Sequence, residues 1–216
     1  MKPPLVFIPG LGADGRLFYH QQKLFENSIT PPWLPPQKNE SLADYAHRWS
    51  THLKLKPGCC LVGVSFGGMV ALEMAHWVKP KAVLLIGSCR SPSSIPSALR
   101  TAGSIPRWPV LGKILAQIFP FGRGWFLGAR TKDQQDLLMQ MFLESPNRFL
   151  AWTVGAIRGW GGFKGDFTKI HHIHGDEDHL IPIKNVRPDQ VVKGGGHTIN
   201  LTHPRQVNEF IKKWSS

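Results

Sequence analysis

No apolar run in this chain approaches the roughly 20 residues that a membrane-spanning helix requires, so the sequence offers no transmembrane segment. Cysteine is scarce: Cys59, Cys60 and Cys89 are the only three. An odd count, with two adjacent and none in metal-ligand spacing, argues against a disulfide framework or a zinc site. Cys59 and Cys60 sit in an apolar stretch, where a thiol behaves as a small apolar group. Acidic residues are few, 14 against 26 lysines and arginines, for a net charge of +12. That imbalance bears on partners and solubility rather than on fold. Internal repeats and low-complexity tracts are missing. Met1 to Leu5 brings one lysine, and the apolar stretch that follows stops at Pro9-Gly10. It is too short for a signal-peptide core and reads better as a first strand. A cytoplasmic protein is expected. Its 216 residues suffice for one domain with a full core and are short for two.

What is present alternates between strand and helix patterns. Leu5 to Ile8 is a short β-rich run, followed by a glycine-rich loop from Gly10 to Gly15. Arg16 to Phe25 reads as a helix. Ile29 to Pro36 contains four prolines, which remove ladder donors and leave an edge strand at most. Ser41 with Asp44 resembles a capping box, and Leu42, Tyr45, Trp49 and Leu53 recur at helical spacing in the segment to Leu55. Cys59 to Val64 is apolar on both faces, as in a parallel sheet covered by helices. Phe66 to Val78 is a helix rich in small residues, and Ala82 to Ile86 is another continuous apolar strand. Strand, helix, strand at this spacing predicts a right-handed βαβ unit.

From Ser88 to about Gly165 the pattern changes. Pro92, Pro96, Pro106 and Pro109 interrupt it early, then three helix-like pieces follow: Val110 to Phe119, Asp133 to Leu143, and Asn147 to Trp160. With no convincing strand, residues 90–165 are expected to form a helical insertion over the sheet, a lid within a single domain spanning 1–216. The insertion holds ten basic residues against three acidic ones, a local net charge of +7. Lys169 to His174 and Gln190 to Lys193 return as short strands, and Pro204 to Trp214 reads as a terminal helix.

Chemistry concentrates at the ends of these strands. Gly63-Val64-Ser65-Phe66-Gly67 follows an apolar strand and opens a small-residue helix. A serine hydroxyl is a weak nucleophile until a base accepts its proton and a tight turn exposes its oxygen. The helix N-terminus adds free N–H groups and partial positive charge suited to an oxyanion. The competing reading is a tight structural turn with an inert serine. After the strand ending at His174 comes Gly175-Asp176-Glu177-Asp178-His179. A carboxylate there can orient a histidine, but spacing does not choose among Asp176, Glu177 and Asp178. His197 follows three glycines that free the backbone to carry an imidazole back over the sheet. His203, before Pro204, is its rival. Ser, then acid, then His is the chain order of a known triad type.

Two other readings compete. His171, His172, His174, Asp176, Asp178 and His179 form a dense set of possible metal ligands, yet strand alternation points His171 and His172 to opposite faces. No metal site is expected. The loop Pro9-Gly10-Leu11-Gly12 resembles a phosphate cradle, but no G-x-x-x-x-G-K-[ST] is present and the G-x-G-x-x-G is incomplete. Placed after the first strand, it instead suits an oxyanion hole, with the N–H groups of Leu11 and Phe66 as the two donors.

Taken together, the chain resembles the α/β-hydrolase superfamily over nearly its whole length. The resemblance rests on Pro9-Gly10-Leu11-Gly12, Gly63-Val64-Ser65-Phe66-Gly67-Gly68, His174-Gly175 through Asp178 with Pro182, and Gly195-Gly196-His197. It implies a three-layer α/β fold, a mostly parallel sheet with helices on both faces and a helical lid. The family's H-G-x-x-D pattern selects Asp178, and its G-G-H pattern selects His197. Ser65 is then the nucleophile, His197 the base, Asp178 its orienter, and Leu11 and Phe66 the oxyanion amides. The chain is most similar to the small carboxylesterases that include the carrier-protein methyl esterase of biotin synthesis, with a helical lid after the sixth strand. Two departures stand out. Pro9-Gly10 replaces the His-Gly of many members, altering how the oxyanion loop is braced. The stretch before the elbow is short, so the family's first antiparallel hairpin is expected to be absent.

The resemblance implies a cofactor-free serine hydrolase that cleaves a carboxylic ester or thioester of an apolar acyl group through an acyl-serine intermediate. Phe119, Phe121, Trp125, Phe126, Leu137, Leu138, Met141, Phe142, Phe149 and Trp152 supply the lid's apolar groups, a subset of which would line an acyl pocket. An acidic acyl carrier protein, a CoA thioester or a membrane surface could be steered by the basic lid. No nucleic-acid motif accompanies the charge. The same scaffold also hosts lyases, haloperoxidase-like enzymes and ligand-binding modules.

Overall fold

The computed structural model describes residues 4–101, 108–118, 121–165 and 169–215. Met1 to Pro3, Pro106, Arg107 and Phe119 lie outside the described residues, as do the side chains of Phe121 and Arg123. Six strands form one sheet: β1 (Leu5–Ile8), β2 (Ser28–Ile29), β3 (Cys60–Val64), β4 (Ala82–Ile86), β5 (Ile170–Gly175) and β6 (Gln190–Val192). Their order is β2-β1-β3-β4-β5-β6, and every pairing is parallel. No antiparallel hairpin occurs among the described residues.

The continuous apolar runs are strands buried on both faces, and alternation sorts their side chains into two cores. Val6, Ile8, Leu61, Val83 and Leu85 face one core, which holds Tyr45, Trp49, Phe66 and Met69. Leu5, Phe7, Cys60, Val62, Leu84 and Ile86 face the other, which holds Phe18, Ile199, Val207 and Phe210. The first core is supplied by α2 (Leu42–His52) and α3 (Phe66–Val78), the second by α9 (Ile199–Thr202) and α10 (Pro204–Ser215). The result is helix, sheet, helix in three layers. Ser41 caps α2 by accepting from the Asp44 N–H.

Two early elements are shorter than expected. The helix predicted over 16–25 is a 3₁₀ turn at Gly15–Phe18 followed by one helical turn, α1 (Tyr19–Gln22). Asp14 caps the 3₁₀ turn through the Arg16 N–H and also grips the Arg16 guanidinium. The proline-rich edge strand shrinks to the two residues of β2, which end just before Pro31 and Pro32 withdraw their N–H donors.

Among the described residues, five α-helices lie between β4 and β5: α4 (Ser97–Thr101), α5 (Trp108–Ile118), α6 (Phe121–Leu127), α7 (Lys132–Glu144) and α8 (Asn147–Gly159). The sequence pattern predicts three. The two others are short, and Gly122 and Gly124 break the apolar pattern of α6. α7 carries a full capping box between Thr131 and Gln134. Phe149 and Ala156 of α8 join the first core, while Leu138 and Met141 of α7 join the second.

Candidate active site

Ser65 occupies the single residue between β3 and α3, with φ 53° and ψ −121°. That backbone region is unfavourable for a residue with a Cβ and costs about 1–3 kcal/mol. The turn survives because its surroundings leave no alternative. A side chain at Gly63 would overlap the Gly67 backbone, and one at Gly67 would overlap the carbonyls of Ile8 and Pro9. β3, the helix start and the end of β1 can meet this closely only with glycine there. Ser65 donates its N–H to the Ile86 carbonyl (3.0 Å), and Ser88 Oγ donates to the Ser65 carbonyl (2.7 Å). Ser88 carried no sequence signal for this role.

At the ends of the neighbouring strands sit the acid and the imidazole. Asp178 follows β5 and His197 follows β6, and both are almost fully buried. His197 Nδ1 donates to Asp178 Oδ2 at 2.7 Å. An Nδ1 facing a carboxylate carries the proton, so Nε2 of the neutral ring is an acceptor. The other carboxylate oxygen, Oδ1, accepts the N–H groups of Leu180 (2.9 Å) and Ile181 (2.8 Å). The loop that carries His197 runs over the end of β4: a Cβ on Gly87 would lie 2.6 Å from the His197 carbonyl. Gly87 follows Ile86, the residue that receives the Ser65 N–H, so Ser65 and the His197 loop flank the same strand end.

Gly10 closes the opposite side, its Cβ position 3.4 Å from Ser65 Cβ. The Ala13 N–H bonds back to the Gly10 carbonyl (3.2 Å), which leaves the Leu11 N–H outside that turn's own bond. Phe66 is the first residue of α3, where an N–H has no intrahelical acceptor. Phe142 and Leu150 from the insertion press on Gly12. A salt bridge from Arg16 to Glu144 ties the same loop to the end of α7.

The remaining candidates are dispersed. Asp176 and Glu177 are exposed. His203 pairs with Thr202 Oγ1 (2.8 Å), not with Asp178. The histidine-rich segment splits: His171 stacks on Trp214 (3.5 Å between centroids), His179 stacks on Trp125, and His172 and His174 are buried together. Among the described residues, no three His, Cys, Asp or Glu groups gather as metal ligands. Near the His197 loop, Trp125, Arg130, Glu177 and His179 line a cleft of about 160 Å³. Cys59, Cys60 and Cys89 are buried and unpaired, and burial pushes the Cys89 thiol up to about 12. No described helix is long and apolar enough to cross a membrane.

Electrostatics favour the Asp178 anion. Burial works against its charge, but the charge of His197 and the hydrogen bonds from His174 and His197 outweigh burial, holding the carboxyl well below its usual range. A carboxyl with a depressed folded-state pKa stabilises the fold above its unfolded pKa, about 3.9, and that contribution is lost as pH falls toward the folded value. Thermal melts from pH 7 to pH 2 should therefore fall more steeply below about pH 4 in the wild type than in Asp178→Asn. Parallel profiles would show that Asp178 carries no such linkage.

A sequence model of the alpha/beta hydrolase family matches residues 5–210. No curated protein matches the chain. Among solved structures, a thermophilic esterase from Thermogutta terrifontis superposes with a TM-score of 0.76 at 18% identity, covering 98% of this chain and 89% of that one. An esterase from Exiguobacterium antarcticum gives 0.75 at 18% identity, covering 99% and 91%. A bromoperoxidase from Bacillus anthracis gives 0.70 at 18%, covering 99% and 92%. At such identities the likeness is one of fold, and these neighbours differ in activity. The match of the family model over nearly the whole chain, on a parallel sheet that carries a strained serine turn, is decisive: the chain belongs to the alpha/beta hydrolase family.

Proposed function

We propose that the protein is a serine hydrolase that cleaves a carboxylic ester or thioester of an apolar acyl group. The observation that carries this reading is the 2.7 Å bond from His197 to Asp178, which leaves Nε2 as a proton acceptor on a loop that shares the end of β4 with the Ser65 turn. Ser65 Oγ attacks the carbonyl carbon while its proton passes to His197 Nε2. The carbonyl oxygen gains the charge and is held by the N–H groups of Leu11 and Phe66. His197 then gives the proton to the leaving alcohol or thiol. Water, deprotonated by His197, releases the acid from acyl-Ser65.

Residues 90–165 act as a lid within a single domain on this reading. Phe142 and Leu150, the apolar side chains against Gly12, support an apolar acyl group. Three unpaired buried thiols fit a cytoplasmic setting. A fluorophosphonate probe tests the chemistry directly. Labelling at Ser65, with turnover of a short p-nitrophenyl ester, is the expected result. Folded protein that neither labels nor turns over would favour a ligand-binding module, and labelling without ester turnover would favour a lyase or haloperoxidase-like enzyme.

The basic insertion suggests an acidic donor such as an acyl carrier protein or a CoA thioester, as in the carrier-protein methyl esterase group. Steering by charge is screened by salt. Turnover of a carrier-linked ester should fall between 20 mM and 500 mM salt by roughly tenfold or more, while a neutral ester stays flat. Equal profiles would remove the anionic partner.

A further inference from the structure

β5 carries two further imidazoles on the Asp178 side of the sheet, two residues apart and therefore on one face. His174 is fully buried and His172 almost so. His174 Nε2 lies 2.8 Å from the Ile181 carbonyl and 3.2 Å from Asp178 Oδ2, the same oxygen that receives His197. Neither oxygen can donate, so Nε2 of His174 carries a proton. Its other nitrogen, Nδ1, lies 3.0 Å from His172 Nε2. Burial, the largest effect, pushes the His172 ring down to about 3. His172 is neutral at working pH.

We propose that His172 and His174 are positioning residues, a chain of two neutral imidazoles that holds Asp178 toward His197 from behind. His172 Nε2–H donates to His174 Nδ1, which fixes His174 as the Nε2–H tautomer. His174 Nε2–H is then shared between the Ile181 carbonyl (2.8 Å) and Asp178 Oδ2 (3.2 Å). With the Leu180 and Ile181 amides on Oδ1 and the rings of His174 and His197 at Oδ2, the carboxylate has no freedom to rotate away from the base. An apolar side chain would fill the space of His174 without a desolvated ring to satisfy. The inference rests on the catalytic reading of Ser65, His197 and Asp178, and on nothing about the substrate.

Two measurements test it. Long-range ¹H–¹⁵N correlation spectra of the wild type report the tautomers without any variant or substrate, and both His172 and His174 should be Nε2–H. A proton on His172 Nδ1 with none on Nε2 would overturn the chain. For the second, fluorophosphonate labelling rates and p-nitrophenyl ester kinetics are compared among wild type, His174→Leu, His174→Gln and His172→Leu. Partners that orient a metal-binding histidine from behind are worth about 10–100-fold, and His174 stands one step further back, behind Asp178. We expect the lower end, about tenfold, for His174→Leu, in labelling rate and kcat with KM unchanged. Glutamine, whose amide N–H₂ reaches close to the Nε2 position, should restore most of it, and His172→Leu should fall between. Leucine as fast as wild type, or glutamine as slow as leucine in folded protein, would reduce the pair to packing. If His174→Leu does not fold, His172→Leu and the spectra decide. A wild type that never labels at Ser65 removes the catalytic reading itself, and this inference falls with it, whatever the tautomers.

Discussion

Ser65→Ala should abolish ester turnover, by a factor on the order of 10⁶ in kcat, and leave the circular dichroism spectrum unchanged. The hydroxyl is the only atom lost. Ser65→Gly should be equally inactive yet more stable. Ser65 sits at φ 53° and ψ −121°, a conformation whose strain of about 1–3 kcal/mol falls away when the Cβ is removed. Part of that gain is offset by the greater chain entropy of glycine in the unfolded state. A thermal melt of the three proteins checks both halves at once. Alanine keeps the Cβ and should melt near the wild type, while glycine should melt above it. Retained turnover in Ser65→Ala would remove the nucleophile, and a glycine variant that melts below alanine would remove the stored strain.

Asp178→Asn should cost about 10⁴ in kcat for a reason the hydrogen bonds dictate. Two backbone N–H groups, from Leu180 and Ile181, point at Oδ1. An asparagine must put its carbonyl oxygen there, so its NH₂ takes the place of Oδ2. That NH₂ faces His197 Nδ1 and can only donate to it, which moves the ring proton to Nε2. Nε2 is then blocked as an acceptor for the Ser65 proton. The same NH₂ meets the His174 Nε2–H head-on, donor against donor. A shift of the His197 proton from Nδ1 to Nε2 in nitrogen NMR should accompany the rate loss. Full activity with the wild-type tautomer would exclude Asp178 as the orienter.

The sheet was legible because its strands are continuous apolar runs. Cys59 to Val64 and Ala82 to Ile86 match β3 and β4 to within a residue, and Phe66 to Val78 is α3. The family resemblance and the parallel sheet expected from it agree with the family model and the topology. Short elements were not legible. A one-turn α1 and a five-residue α4 are too brief for periodicity to register, and glycines hide α6. The hydrogen bond from His197 to Asp178 joins residues that sequence order had already paired through the resemblance. The roles of His172 and His174 were hidden for a different reason. Strand alternation separated His171 from His172, but only packing reveals that His172 and His174 share a dry face with a carboxylate.

The His197 loop is also moored from above. Thr198 sends both its N–H and its hydroxyl to the carbonyl of Leu127, the last residue of α6 (3.0 and 2.7 Å). Gly128 lies flat against Gly196, where a side chain on either would collide with the other backbone. Arg130 reaches across to the Gly194 carbonyl. A wholesale swing of the helices above the sheet would break these three ties and unseat the imidazole it was meant to serve. The α6–α7 junction is therefore fastened to the loop that carries His197, and any displacement of it would drag the imidazole along.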